Sequence, residues 1–362
     1  MEALLALVSW LAPVLVVVCV VDDWFLRPRR ALAAPAGAEA PPDPPLLRAL
    51  YALLPLVVLV AVWRLLTAER ADFSLVLVLI TLVSGIAWAA DVLLLRPRRE
   101  AAARAAARDP ASIAEPGTVD YARSFFPVAA VLLVLRSFVF EPYRIPSDSM
   151  MPTLLDGDFI VVNKYAYGLR LPVTHQVILP IGLPQRGDVV VFRFPTDPAI
   201  NYIKRVVGLP GDLVEVRGDR LTVNGQPVEF HEDGRYEDGC YLNMRIAEEQ
   251  LGEHRHRVLH CLTADSIAVP PLPGCNRRIE QNYFCNEPQP GSDIPDSGDA
   301  VRRVPPGQYL MVGDNRDNSY DGRFWGFVDQ SLLVGKATRI WFNWDLQRSG
   351  GPQWSRLGQK ID

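Results

Sequence analysis

Histidine is scarce in this chain: five in 362 residues, at positions 175, 231, 254, 256 and 260, none in a strand-end setting that resembles a catalytic triad. A Gly-x-Ser-x-Gly turn is absent as well, so the ordinary histidine-activated serine hydrolase is not written here. A surplus of one charge is also missing. Thirty-seven Lys and Arg stand against 41 Asp and Glu, a net charge of −4, and composition therefore gives no basic surface for nucleic acid. Long apolar runs, by contrast, are plentiful, and they lie almost entirely before residue 140.

Four of these runs are candidates for crossing a hydrocarbon layer, which takes about 20 mostly apolar residues: 3–21, 49–66, 74–95 and 124–140. The second contains Pro55, and the fourth contains Arg136, which can snorkel to an interface. The first has no basic leading segment and is followed by Asp22-Asp23 rather than a small-residue cleavage site, so it reads as a retained anchor. Lys and Arg resist translocation. Arg27, Arg29, Arg30 and Arg48 follow the first run, and Arg96, Arg98, Arg99, Arg104, Arg108 and Arg123 follow the third, whereas the short loop 67–73 has only Arg70. Both Arg-rich loops are expected in the cytoplasm, and everything after Phe140 across the membrane from it. The expectation is a multi-pass membrane protein with its carboxy-terminal half across the membrane from the cytoplasm, which in a bacterium is the periplasmic side of the cytoplasmic (inner) membrane. The pentapeptide LRPRR occurs at 26–30 and again at 95–99, and PLVVLVAVWRLL (55–66) parallels PVAAVLLVLRSF (127–138), as a duplicated two-span anchor would.

After Phe140 the pattern becomes short β-branched runs separated by turn chemistry. DFIVVNKYAYG, GDVVVFRFP, YIKRVVGLPGD, DLVEVRGDRLTVNGQPVEF, QYLMVGDNRDNS and ATRIWFNW each read as a strand or strand pair, and Asn224-Gly225 suits a tight hairpin turn. The fold expected is mainly β: an antiparallel β domain over 141–225 and 305–362, a β-rich insertion over 226–304, and a membrane anchor region over 1–140. The insertion contains Cys240, Cys261, Cys275 and Cys285; on the exported side these permit two disulfides in three pairings, Cys275 to Cys285 closing the shortest loop. Cys19 lies in the first run as a small buried hydrophobe. His254, His256, His260 and Cys261 match no familiar zinc spacing, so no metal and no cofactor is expected.

A serine without a histidine needs another base. A lysine serves if burial removes several units from its usual pKa of about 10.4. Lys204 in NYIKRVVGLPGD fits, because alternation puts Tyr202, Lys204 and Val206 on one strand face and Ile203 and Arg205 on the other. The bland alternative is a solvent-facing lysine on an edge strand.

Four segments in order now carry a resemblance: IPSDSMMPTL (145–154), RGDVVVFRFP (186–195), YIKRVVGLPGD (202–212) and GDNRDNSYDGRFWG (313–326). Over roughly 124–345 the chain resembles the bacterial type I signal peptidases, serine/lysine proteases of the leader peptidase family. The resemblance implies Ser149 as nucleophile, Lys204 as general base and the Ser147 hydroxyl as oxyanion donor. It also implies Ser319 as the residue that hydrogen-bonds the lysine, and Asp321 with Arg323 as a supporting ion pair. Tyr143, Ile145, Pro146, Met150, Leu154, Tyr202 and Ile203 match the lining of small apolar pockets that accept alanine at positions −1 and −3 of a signal peptide. Two positions depart from the family pattern. Asp148 stands where a small residue is common, and is expected to face solvent because a carboxylate turned inward favours the charged lysine. Gly322 stands where a serine is common.

The activity implied is removal of signal peptides from secreted preproteins by a membrane-bound endopeptidase. Ser149 follows Phe140 closely, and at ~3.3 Å per residue the tether reaches about 30 Å, so the site is expected near the outer membrane surface. Trp341, Phe342, Trp344 and Trp354 are candidates for lipid contact, with at least one in the core. The alternatives are a soluble serine/lysine autoprotease, against which the spans argue, and a catalytically silent membrane-tethered β module that binds exported proteins.

Overall fold

The computed structural model describes residues 2–33, 42–67, 73–107, 109, 113, 115–217, 220–238, 241–260, 300–345 and 351–362. Contacts divide it into two units, Met1–Leu135 with Pro172–Thr174, and Arg136–Leu171 with His175–Asp362. The four cysteines of the insertion, and with them the disulfide expectation, lie outside the described residues.

The first unit is helical: α1 (Glu2–Val21), α2 (Arg27–Ala33), α3 (Pro45–Thr67), α4 (Phe73–Ala90), α5 (Arg96–Ala105) and α6 (Gly117–Val134). Among the described residues, the stretches Pro45–Arg64, Phe73–Ala105 and Gly117–Val139 are long and apolar enough to cross a membrane. α1 packs on α3, and α4 on α6. The absence of a side chain at Gly85 lets the Phe126 ring approach α4 within the space a Cβ would take.

Both LRPRR copies lie in the same local structure. Asp22–Leu26 and Asp91–Leu95 are each one π-helical turn, and each leads into a short helix beginning at the following arginine. Arg30 reaches back to Asp22 at 2.6 Å and Arg99 to Asp91 at 2.5 Å. Eight residues apart, such groups diverge on a regular α-helix; the extra residue of a π turn returns them to one face, two turns apart. The repeat is therefore longer than LRPRR and includes the aspartate four residues before it.

The second unit is antiparallel β. A seven-stranded sheet comprises β1 (Phe140–Arg144), β2 (Asp158–Asn163), β5 (Val189–Arg193), β6 (Asn201–Gly208), β14 (Gln308–Val312), β15 (Val328–Asp329) and β16 (Leu333–Asn343), in the order β1-β2-β16-β5-β6-β14-β15. A small pair, β3 (Leu169–Arg170) and β4 (Val177–Leu179), stands apart, and a four-stranded sheet orders β13 (Ala300–Arg303), β7 (Leu213–Arg217), β8 (Arg220–Val223) and β9 (Gln226–Pro227). Asn224 and Gly225 adopt positive φ at the β8–β9 turn, as expected of a tight hairpin. The one α-helix described in this unit, α7 (Gly322–Trp325), is a single turn.

The sequence patterns follow burial. β2 alternates buried and half-buried residues, one face inward. β5 is buried on both faces, so its VVVF run is continuously apolar: Val189 and Val191 join Ile145, Met150, Leu154, Ile160 and Ile203 in one core, while Val190 and Phe192 join Val206, Tyr309 and Met311 in another. A third core, with Val207, Val214, Leu251 and Leu310, lies beneath the four-stranded sheet.

The insertion is more regular than its sequence indicates. β10 (Glu229–Asp238), β11 (Tyr241–Leu251) and β12 (His254–His260) form a three-stranded meander. Its glutamates and arginines have weak β propensity, and that is why the pattern fades there. His254, His256 and His260 lie on one face of β12, but each faces a different carboxylate, Asp188, Glu249 or Asp317.

Candidate active site

Lys204 lies on β6, between β5 and β14, and is 4% exposed. It is therefore an interior lysine, and the edge-strand alternative falls. A charged ammonium loses hydration there, so burial pushes its pKa down from 10.5 to about 8; Asp321 and Asp314 oppose the fall and Arg323 adds to it. Its Nζ donates to Ser149 Oγ at 2.5 Å and to the Ile203 carbonyl at 3.0 Å.

Ser149 sits in the irregular segment after β1, itself buried. Its carbonyl accepts from Asn315 N at 3.1 Å, and the Asp148 carbonyl accepts from Asn315 Nδ2 at 3.1 Å. Ser147 is exposed, with its Oγ 3.4 Å from Ser149 Oγ. Behind them runs Gly313. A Cβ there would overlap both the Ser149 carbonyl oxygen and the Ser319 hydroxyl, so the backbone of the GDNRDNS segment approaches the serine only because this residue is glycine.

Asp321 is fully buried. Burial pushes its carboxyl up, but Arg323, bound through Nε at 2.8 Å and Nη2 at 2.9 Å, and the Gly313 N–H at 2.9 Å hold it below the usual range. Asp314 is likewise held low against burial by Arg205, which grips both its oxygens at 2.8 Å, and by the Thr153 hydroxyl at 2.5 Å. Sequence reasoning missed this second pair. Arg205 adjoins Lys204 and Asp314 adjoins Gly313 in the sequence, but nothing in the linear pattern signals that the two side chains pair.

Two expectations need correction. Ser319 is fully buried beside Asp321, but the hydrogen bonds of Lys204 go to Ser149 and Ile203, and none joins it to Ser319. Asp148 does not face solvent freely: it is half-buried, with Oδ1 shielded from water. The carboxylates that most strongly oppose the fall in the Lys204 pKa are those of Asp321 and Asp314.

Of the expected pocket residues, Ile145, Met150, Leu154 and Ile203 belong to one core cluster, and Tyr143 packs on it. Met150 and Leu154 are completely buried, which makes them the support of a wall rather than its surface; Pro146 is exposed. Tyr202 is partly buried, packs against the other core and stacks on Phe194 at 4.3 Å, in an aromatic group with Tyr320 and Trp325 that sequence reasoning did not find. Trp341, Trp344 and Trp354 are 45%, 47% and 68% exposed and ring Phe342.

With this geometry in place, comparison with known proteins is direct. Residues 118–342 match the family described as signal peptidase, peptidase S26. The chain belongs to that family. It is similar to signal peptidase I of Pseudomonas aeruginosa, 42% identical over 308 residues, with 79% of this chain and 98% of the relative covered. It is also similar to signal peptidase I of Pseudomonas fluorescens, 39% identical over 308 residues with the same coverage, and of Haemophilus influenzae, 32% identical over 346 residues, covering 84% of this chain and 95% of the relative. Membership of the signal peptidase family makes the chain a serine endopeptidase, and the family match contains every candidate site residue from Tyr143 to Arg323.

Proposed function

We propose that this membrane-anchored endopeptidase removes N-terminal signal peptides from exported preproteins after an Ala-x-Ala-like site, with Ser149 as nucleophile and Lys204 as general base. The observation that carries this reading is the 2.5 Å contact between Lys204 Nζ and Ser149 Oγ, made by a lysine that burial holds closer to neutrality. Neutral Lys204 takes the hydroxyl proton as Ser149 Oγ attacks the scissile carbonyl, and then delivers it to the leaving amine. It next removes a proton from the water that hydrolyses the acyl-enzyme. The Ser149 N–H with the Ser147 hydroxyl is the oxyanion donor set, and one such donor is typically worth ~3 kcal/mol in the transition state. Substrate lies extended along Tyr143 to Pro146 and Tyr202 to Ile203, with backbone hydrogen bonds setting its register and the small side chains entering the apolar wall.

Activity requires the unprotonated amine. The ratio kcat/KM is therefore expected to rise about tenfold per pH unit below roughly 8 and to level off above it. A pH–rate profile on a purified precursor checks this, and a flat profile between pH 6 and 9 would remove lysine as the base. The silent-module alternative gives no reason for a buried lysine to contact a serine.

For topology, the arginine distribution supports four spans, α1, α3, α4 and α6, with residues 27–48 and 96–123 cytoplasmic and the catalytic unit periplasmic. The exposed Trp341, Trp344 and Trp354 then suit the lipid interface. A reporter fused near residue 70 is expected to read periplasmic; a cytoplasmic reading overturns the four-span arrangement.

A further inference from the structure

The insertion contributes a buried carboxylate to the back of the site. Glu249 on β11 and His256 on β12 stand directly opposite each other, 1% and 5% exposed. A buried glutamate is costly without a partner, and its partner lies outside the insertion. Arg316 of the GDNRDNS segment, 3% exposed, donates from Nη1 to Glu249 Oε1 at 2.7 Å and from Nη2 to Oε2. The His256 ring fills the space between this pair and the next, its Nε2 3.7 Å from Glu249 Oε2 and 3.9 Å from Asp314 Oδ1. Burial and the Arg205 charge hold that ring neutral.

The segment that Arg316 anchors bonds the reacting serine directly and the strand of the reacting lysine through Arg205. Asn315 N holds the Ser149 carbonyl and Asn315 Nδ2 that of Asp148. Asp314 grips Arg205, next to Lys204 on β6. The Arg316 carbonyl accepts from Arg323 Nη2, whose guanidinium clasps Asp321, one of the two carboxylates acting on Lys204. A backbone bond adds to this: Leu259 N of β12 donates to the Asp314 carbonyl at 2.9 Å. Residues 313–316 are thus tied on one side to the serine, on a second to the lysine strand, and on a third to the insertion.

We infer that Glu249 is a positioning residue for the cleavage reaction, fixing through Arg316 the segment that places Ser149 and Lys204 against each other. Holding the meander in place does not require it. Leu251 already seats β11 in an apolar core, and a buried ion pair is a poor adhesive compared with apolar packing of the same volume. What the bidentate pair supplies is a fixed direction and distance for Arg316. The inference rests on the Ser149/Lys204 reading, and the experiment separates the two.

The full chain in detergent is assayed for kcat, KM and thermal unfolding with a precursor bearing an Ala-x-Ala site. Glu249→Gln leaves Arg316 buried without its counter-charge, and is expected to unfold more easily and to lose about 30-fold or more in kcat with KM within about twofold, since displacements near 1 Å cost this much. The double variant Glu249→Leu/Arg316→Met removes both charges and is expected to regain thermal stability while kcat stays at least about tenfold low. A purely structural pair gives the opposite result, with activity returning alongside stability. Glu249→Asp keeps the charge and withdraws it by one carbon; it is expected to fold natively and still lose several-fold in kcat alone. A native kcat in the double variant, or in Glu249→Asp, overturns the inference. Loss in KM with kcat unchanged overturns it too. Ser149→Ala and Lys204→Ala in the otherwise native chain test the dyad separately: if either keeps activity the dyad reading fails, whatever Glu249 does.

Discussion

Replacing Ser149 or Lys204 by alanine is expected to reduce cleavage of an Ala-x-Ala precursor by roughly 10⁴- to 10⁶-fold, because members of one proton-transfer unit cannot act without each other. Each single variant should be nearly as inactive as the double, and a variant retaining even a few per cent of native turnover would sink the dyad. The effect on folding has the opposite sign for Lys204. Its pKa is lowered by burial from 10.5 to about 8, so the folded state holds the proton less tightly than the unfolded chain does. That penalty is fully present below about pH 8, fades between there and 10.5, and is absent above. Lys204→Met, of similar volume and uncharged, is therefore expected to be more stable than the native chain by roughly 2–4 kcal/mol near neutral pH, and inactive. Denaturant unfolding at pH 7 and at pH 10 checks the sign, since the gain must shrink at the higher pH.

The second large effect is expected at Arg205. It is 1% exposed and chelates Asp314, itself 1% exposed. Removing one partner of a buried pair leaves the other uncompensated and typically costs ~3–5 kcal/mol. Arg205→Ala should thus destabilise the catalytic unit by about that amount. It should also move the acid limb of the pH–rate profile upward, because Asp314 already raises the Lys204 pKa and loses the cation that neutralises it. Arg205→Lys keeps the charge but not the two-pronged geometry, and is expected to fall between the two in stability. Equal stability of Arg205→Ala and the native chain would remove the ion pair from the account of the site.

Much of the site was legible because its parts are local. Ser147 and Ser149 share one short segment, Asp321 and Arg323 are two residues apart, and Lys204 was conspicuous as a charge inside an apolar strand. The Asn224-Gly225 turn and the strands around it were equally plain, since turn chemistry and period-2 burial operate over a few residues. The meander β10–β12 was not, because its outward faces carry Glu, Arg and His and its inward face is apolar only in part. Arg205–Asp314 and Arg316–Glu249 were invisible for a different reason: partners 109 and 67 residues apart in sequence leave no periodic trace.

The sequence by itself determined the long apolar runs of the first half, the β character of the second, and Ser149 and Lys204 as the candidate pair in the absence of a suitable histidine. Hydrophobicity, alternation and residue chemistry are properties of short stretches, so a linear reading captures them. Only the tertiary structure decided that Lys204 is interior, that the carboxylates of Asp314 and Asp321 act on it, and that Glu249 of the meander bonds Arg316. Those facts depend on which strands lie side by side. A lysine's pKa follows from what surrounds it in space, and strand order, not sequence distance, sets those surroundings.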